Sequence, residues 1–157
     1  MAVRTRASCL GSRVGAVIVK DARVLSTGYN GTPSKMKNCT DGGCERCAHP
    51  EKFEAGSGYD LCICVHAEQN CLLSAARFGI SVAGGTVYTT MRPCFGCTKE
   101  LLQAGVVRGV YVHDWHHPKP EFQAEYEAIQ ARLPGGIEPL ELVDPDADWA
   151  RPKKRAG

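Results

Sequence analysis

Two short motifs carry residue types that bind metals and move protons. His66 is followed two positions later by Glu68, and a P-C-F-G-C stretch at 93–97 supplies Cys94 and Cys97. One imidazole and two thiolates form a three-ligand zinc set whose fourth position is free, as in catalytic zinc sites. Glu68 is expected to carry a proton for a water molecule at that position rather than to bind the metal. This chemistry suits hydrolytic removal of an amine from an aromatic ring.

Two predicted helices would position these ligands. Ala67, Cys71 and Ala75 lie four residues apart, which predicts a helix over 66–77, and a second helix is predicted over 97–104. The segment between the motifs is long enough for a helix, a turn and a strand. If both helices follow strands of one sheet, their N-termini can lie side by side, where the helix dipole favours thiolate ligands.

The remaining pattern predicts an α/β sandwich, a mixed sheet with helices on its faces. Strands are predicted over 14–20 and 23–28 as a hairpin, then over 85–90, 106–112 and, weakly, 137–143. A further helix is predicted over 121–133. We expect one domain over 1–143 with a cysteine-rich insertion at 34–64, followed by a solvated polar tail over 144–157.

Composition excludes several classes of protein. The 157 residues are 43% hydrophobic and 23% charged, which is typical of a globular domain. A net charge of +2 argues against binding along duplex nucleic acid. No run approaches the roughly 20 apolar residues of a membrane span, and no apolar segment of a secretory signal follows Met1. We therefore expect a cytoplasmic protein with no membrane partner.

The motifs together resemble a known family. The combination H-x-E and P-C-x-x-C is the signature of zinc deaminases. With V-G-A-V-I-V-K at 14–20, G-Y-N-G-T-P at 28–33, V-H-A-E-Q-N at 65–70 and R-P-C-F-G-C at 92–97, the chain resembles the deoxycytidylate (dCMP) deaminase family over about residues 9–115. The stretches N-C-T-D-G-G-C-E-R-C at 38–47 and L-C-I-C at 61–64 are similar to its cysteine-rich branch.

The resemblance implies a cytidine-deaminase-like three-layer sandwich with a five-stranded sheet, and a zinc hydrolase that converts dCMP to dUMP and ammonia. It also implies that Asn30 contacts the sugar, that the backbone at Ala67 faces the pyrimidine, and that Trp115 lies beside the substrate. An aromatic face is a suitable platform for a base. Members of the family assemble, often as hexamers, and are often regulated by dCTP and dTTP, so a homo-oligomer with such regulation is expected.

Two departures from the family pattern concern the N-terminus and Arg92. Only 13 residues precede Val14, which puts the family's longer first helix in question. Arg92 stands before Pro93, where many members have a small or neutral residue. Its guanidinium could bind a substrate phosphate or stabilise a subunit contact. The rival phosphate partners are Arg4, Arg6 and Arg13.

Six further cysteines predict at least one structural zinc. Cys44 and Cys47 have zinc-knuckle spacing, and Cys62 and Cys64 follow 15 residues later. The resemblance adds Cys9 and Cys39 as ligands. One zinc could take four of the six thiols, or two zincs could share all six with His49 and one bridging or extra ligand. We place Cys39, Cys47 and Cys64 first among the ligands, then Cys9, then Cys44 and Cys62.

Alternative functions differ in substrate or in class. Within the deaminases, the substrate could be dCTP, a modified dCMP or free cytidine. In a different class, the cysteine-rich loop could be a zinc knuckle that binds nucleic acid, with the basic residues at 151–155 as an arm. The small net charge and the position of Glu68 beside the zinc ligands count against that alternative.

Overall fold

A computed structural model describes residues 1–54 and 57–150 and shows a five-stranded mixed sheet. The strands lie in the order β2-β1-β3-β4-β5; β1 is antiparallel to both of its neighbours, and β3, β4 and β5 are parallel. Their bounds are β1 Gly15–Lys20, β2 Arg23–Tyr29, β3 Thr86–Met91, β4 Arg108–His113 and β5 Ile137–Pro139. The predicted mixed five-stranded sheet is confirmed.

Helices connect and flank these strands. The α-helices are α1 Glu45–Ala48, α2 Ala67–Arg77, α3 Phe95–Gln103 and α4 Gln123–Gln130. Short 3-10 helices cover Ala2–Arg6, Cys39–Asp41, Pro50–Lys52, Tyr59–Leu61, Pro120–Phe122 and Ala147–Ala150. The helix α3 begins two residues before its predicted start because Cys94 is its N-cap. No helix among the described residues is both long enough and apolar enough to span a membrane.

The two faces of the sheet can be assigned from β1. Its side chains alternate between faces, and Ala16, which pairs with Gly28 of β2, faces α2. The main core lies on this side, where Ile18, Cys71 and Leu101 are fully buried. Cys71 is therefore a core residue, as its place on the apolar helix stripe predicts. The other face meets the N-terminal segment.

Gly28 permits the close approach of β2 and α2. A Cβ atom at this position would lie 2.1 Å from the carbonyl oxygen of Ala67 and 2.5 Å from the amide nitrogen of Cys71. We expect Gly28→Ala to lower the free energy of unfolding by about 1–3 kcal/mol, because backbone must move to admit the methyl group. Chemical denaturation in zinc-containing buffer measures the change. Gly96→Ala is the matched control, since nothing lies within 4 Å of its added Cβ; equal effects of the two changes would contradict this packing argument.

The segment that precedes β1 packs against the face of the sheet opposite α2. Only the 3-10 helix Ala2–Arg6 precedes β1 among elements of the described chain, and the Cβ position of Gly15 points at Arg4. Arg4 is 1% exposed and pairs with Asp144 through both carboxylate oxygens. A buried ion pair therefore joins the segment before β1 to the segment after β5.

Residues 144–150, expected to be a solvated tail, are only partly exposed: Pro145 and Asp148 are exposed, whereas Asp144 and Trp149 contact the N-terminal segment. The Asp144 side chain is 2% exposed, the carbonyl oxygen of Trp149 accepts the Arg13 amide, and the Arg13 guanidinium lies over the Trp149 ring at 4.8 Å. The buried charge of Arg4 needs an anionic partner, and Asp144 supplies it. The basic stretch 151–155, with the rest of 151–157, lies outside the described residues.

Candidate active site

The N-termini of α2 and α3 bring three metal-binding side chains together. His66 is the N-cap of α2 and Cys94 is the N-cap of α3. The His66 Nδ1 atom lies 3.5 Å from the Cys94 sulfur and 3.4 Å from the Cys97 sulfur. Zinc bonds of about 2.3 Å to sulfur and 2.0 Å to nitrogen in a tetrahedron require a nitrogen–sulfur separation of about 3.5 Å. The three ligand atoms therefore fit one zinc ion.

Hydrogen bonds from neighbouring helices hold these ligands in place. The Gln69 side chain accepts the His66 amide at 2.9 Å and donates to Glu100 of α3 at 2.9 Å, which ties the two helix starts together. The carbonyl of Pro93, just before Cys94, accepts the Tyr126 hydroxyl at 2.8 Å and the Gln130 amide at 3.0 Å. Such outer contacts fix the orientation of metal ligands.

Glu68 lies beside the ligands without being one of them. The residue is 4% exposed, and its Oε2 atom is 3.6 Å from the Cys97 sulfur, which donates to it. Burial raises the pKa of Glu68 to about 7. A hydrogen bond with Cys97 and, to a smaller extent, one with His66 lower the pKa of Cys94 to about 4, which favours its thiolate form. The site combines one stabilised thiolate with one carboxyl group able to gain and lose a proton near neutral pH.

A cavity of about 420 Å³ opens over this site. All four residues predicted to bind substrate, namely Asn30, Ala67, Arg92 and Trp115, line it together with His66, Glu68 and Cys94. This volume is within the range of small-molecule sites.

The substrate candidates differ in their own contacts. The Asn30 amide accepts the Val14 N–H and donates to the Ser12 carbonyl, both at 2.8 Å, so its orientation is fixed. Trp115 packs edge-on against Tyr126 with ring centroids 5.0 Å apart, which leaves it half-buried at the cavity wall.

Arg92 already has protein partners. Its Nε atom donates to Gln130 at 2.8 Å, its Nη1 atom pairs with Asp114 at 3.0 Å, and its guanidinium lies over the Tyr126 ring at 5.1 Å. Of the rival arginines, Arg4 is buried against Asp144, away from the cavity lining.

Arg46 is a cavity residue that sequence reasoning missed. It lies in α1 between Cys44 and Cys47, and it lines the cavity with Tyr59. Its guanidinium stacks over the Tyr59 ring at 4.3 Å and donates to the carbonyl of Ser57. In the sequence, Arg46 lies between two cysteines whose spacing indicates a metal site and nothing about the arginine. The fold of the insertion places its guanidinium at the cavity.

The six remaining cysteines of the prediction gather in the insertion and the N-terminal segment. Their sulfurs form two groups of four, with all ligand atoms in each group within 4.8 Å of one another. The groups are Cys9, Cys39, Cys47 and Cys64, and Cys44, Cys47, Cys62 and Cys64. His49, considered as an extra ligand, belongs to neither group, and its Nδ1 atom faces Glu51 at 3.2 Å.

The fold and this site define a class of protein. The family model of the cytidine and deoxycytidylate deaminase zinc-binding region matches residues 1–113, and the chain belongs to that family. Its sheet and flanking helices have the cytidine-deaminase-like fold, as the sequence resemblance implies.

Particular relatives narrow the comparison. The chain is 37% identical over 119 residues to the deoxycytidylate deaminase of Saccharomyces cerevisiae, an alignment that covers 76% of this chain and 36% of that one. It is 41% identical over 113 residues to the deoxycytidylate deaminase of Mycobacterium phage D29, covering 70% of this chain and 85% of the relative. The chain thus spans about a third of the length of the yeast relative and most of the phage relative.

The fold is also similar to that of a solved deaminase structure. The dCMP deaminase of the cyanophage S-TIM5, determined in complex with dCMP and dUMP, is 28% identical with a TM-score of 0.59. The match covers 82% of this chain and 81% of that one. The family, the fold and the zinc-binding region predicted from the sequence are therefore confirmed.

Proposed function

We propose that this chain is a zinc-dependent hydrolase that deaminates dCMP to dUMP and ammonia. One observation carries the proposal: His66, Cys94 and Cys97 converge beside the buried carboxylate of Glu68 at a cavity large enough for a nucleotide. Relatives named deoxycytidylate deaminase and the cyanophage structure with dCMP and dUMP support the choice of substrate.

The chain's own residues perform the proton transfers. When bound by His66, Cys94 and Cys97, zinc supplies a Lewis acid that makes water a nucleophile near neutral pH. Glu68 takes the proton that water loses as its oxygen adds to C4 of the pyrimidine, and it delivers that proton to the ring nitrogen N3. It then takes the proton of the hydroxyl group now on C4 and carries it to the exocyclic amine; the C4–N bond breaks as the C4=O double bond forms, and ammonia leaves. A pKa near 7 suits a group that both accepts and donates.

The cavity walls bind the rest of the nucleotide in this proposal. Asn30, held by Ser12 and Val14, presents a fixed amide to the sugar. The backbone at Ala67 faces the pyrimidine, and the ring of Trp115 lies beside it. We assign the phosphate to the two cavity-lining arginines, Arg92 and Arg46. Asp114 already neutralises part of the Arg92 charge, whereas the Arg46 guanidinium contacts the neutral ring of Tyr59 and the carbonyl of Ser57.

Arg46→Ala is expected to raise KM for dCMP by about tenfold to a hundredfold, because a charge-assisted bond to phosphate is worth about 1.5–3 kcal/mol. Turnover of deoxycytidine, which has no phosphate, should change little. Initial rates of ammonia release on both substrates measure the difference, and zinc content is followed because Cys47 is adjacent. Arg46→Lys, which keeps the charge, should recover part of the affinity. An equal loss on both substrates would contradict the phosphate role.

A substrate panel tests the function as a whole. Ammonia release is compared for dCMP, dCTP, deoxycytidine, cytidine and CMP with zinc-loaded protein. The largest kcat/KM for dCMP supports the proposal, and a preference for dCTP or cytidine replaces it with one of the alternative deaminase activities. No release from any of them, together with salt-dependent retention on single-stranded DNA, would favour the zinc-knuckle alternative.

The cofactor in this proposal is zinc. We propose zinc at the catalytic site and at least one structural zinc among the six clustered cysteines. We also propose a homo-oligomer, because α2 and its C-terminal end expose Leu73, Phe78 and Ile80 beside an open groove. Hexamer formation, control by dCTP and dTTP, a cytoplasmic location and the single-domain division at residue 143 stay predictions.

A further inference from the structure

The two sulfur groups of the cysteine cluster share two members. Cys47 and Cys64 belong to both groups of four, Cys9 and Cys39 complete the first, and Cys44 and Cys62 complete the second. Two tetrahedra that share one edge have six corners. The six cysteines therefore match, one for one, the corners of two tetrahedral metal sites joined through two common sulfurs.

The sulfur separations fit this arrangement. Four thiolates at about 2.3 Å around one zinc ion lie about 3.8 Å apart along each edge of the tetrahedron. The separations are 3.8 Å for Cys44–Cys62, 3.8 Å for Cys47–Cys62 and 4.0 Å for Cys9–Cys47. All are much longer than the roughly 2.05 Å of a disulfide bond. The spacing is that of ligands to a common ion.

A single metal leaves part of the cluster without a partner. If one ion took the first group, the sulfurs of Cys44 and Cys62 would remain side by side, with Cys44 fully buried. If it took the second, Cys9 and Cys39 would remain, and Cys39 is also fully buried. Because either choice leaves two neighbouring cysteine sulfurs without a metal, and one of the two residues is fully buried, the geometry favours a second ion.

We propose that this cluster binds two zinc ions, with the thiolates of Cys47 and Cys64 bridging them. Cys9 and Cys39 are the terminal ligands of one ion, and Cys44 and Cys62 are the terminal ligands of the other. Zinc suits an all-thiolate tetrahedral set. The assignment goes beyond the structural zinc proposed above in ligand partition and in metal count, and it does not depend on the substrate.

The surrounding backbone is arranged for such a cluster. Six thiolates and two divalent ions leave two negative charges, which nearby N–H groups can offset. The Leu10 amide donates to the Cys39 sulfur at 3.3 Å. The chain between Cys39 and Cys44 folds tightly, because a Cβ at Gly43 would lie 1.9 Å from the carbonyl oxygen of Lys37. A residue larger than glycine therefore does not fit at position 43 unless the backbone at Lys37 moves.

The cluster also forms part of the cavity wall. Cys9, Cys47, Cys62 and Cys64 line the cavity above Glu68. Val65 separates the bridging Cys64 from His66 and pairs with Gly31 through two backbone hydrogen bonds. The cluster thus fixes both the cysteine-rich insertion and the strand-like segment that leads into the catalytic motif.

Metal counting on the full-length wild-type protein tests the proposal. We expect three zinc ions per chain by native mass spectrometry, and two in Cys97→Ser, which disrupts only the catalytic site. Two ions in the wild type and one in Cys97→Ser would overturn the two-metal cluster and leave the deaminase proposal intact. Two ions in both would overturn the catalytic zinc and leave the cluster intact.

Cadmium-113 NMR tests the bridges. In protein reconstituted with cadmium alone, the cluster should give two tetrathiolate resonances split by mutual coupling through the shared sulfurs. Cys47→Ser removes a bridge and should alter both resonances, whereas the matched change of a terminal ligand, Cys39→Ser, should chiefly shift one. Two uncoupled resonances, or one, in the wild type would overturn the bridged assignment without reliance on any variant that fails to fold.

Discussion

Glu68→Gln is expected to lower kcat for dCMP by about 10²–10⁴-fold while the catalytic zinc remains bound. Glutamine has nearly the shape of glutamate but cannot accept and return a proton at the positions the reaction requires. The carboxylate lies against Cys97 and is not one of the three converging metal ligands, so its replacement should not release the ion. Single-turnover rates of dUMP formation and zinc content measured on the same preparation check both parts.

The controls for this prediction come from the same chain. Glu125→Gln changes an exposed carboxylate of α4 and should leave the rate unchanged. Glu68→Asp keeps the proton carrier but draws it back by one methylene, so it should retain more activity than the glutamine variant. If zinc is lost together with activity in Glu68→Gln, the carboxylate supports the metal site and the proton-transfer role is contradicted.

The local parts of the fold and site were accessible to sequence reasoning because their signals are periodic or close in sequence. The four-residue spacing of Ala67, Cys71 and Ala75 predicts α2, and the motifs place His66 and Cys94 at helix starts, where the structure finds them as N-caps. The final strand is shorter than its apolar pattern predicts. The pairing of β5 with β4 ends at Pro139, opposite Tyr111, and the Leu140 amide donates the last hydrogen bond to the Tyr111 carbonyl.

The parts that sequence reasoning missed depend on contacts between distant residues. Nothing local in the polar stretch after Val143 shows that Asp144 is buried, because its partner Arg4 lies 140 positions away. Likewise, Arg46 reaches the cavity only because the insertion folds around the sulfurs of its neighbouring cysteines. The spacing of the cysteines indicated which of them could bind metal, but it did not show how they divide between metal ions. Their folded positions are needed for that, because Cys47 and Cys64 belong to both groups of four.

Asp144→Asn is expected to lower the free energy of unfolding by about 3–5 kcal/mol, the usual cost of leaving one charge of a buried pair without its partner. Asp144 accepts from both terminal nitrogens of Arg4, at 2.7 and 2.5 Å, and its Oδ2 atom lies 2.6 Å from His113 Nε2. Denaturation at pH 7 in zinc-containing buffer measures the loss. Asp146→Asn is the matched control, because that carboxylate is 46% exposed and 3.7 Å from Arg4, and it should cost under about 1 kcal/mol.

The same pair should make stability depend on acid. The Arg4 guanidinium holds the pKa of Asp144 well below its usual value near 3.9, so the stabilisation is fully present above that value. It is lost as the pH falls below about 4 and then through the lower pKa of the folded state. Acid also releases metal from thiolates, which destabilises both proteins. The informative quantity is therefore the difference in free energy of unfolding between the wild type and Asp144→Asn, and this difference should become smaller below about pH 4. A difference that stays constant down to pH 3, or a cost no larger than that of Asp146→Asn, would contradict the buried ion pair as the element that fastens residues 144–150 to the sheet.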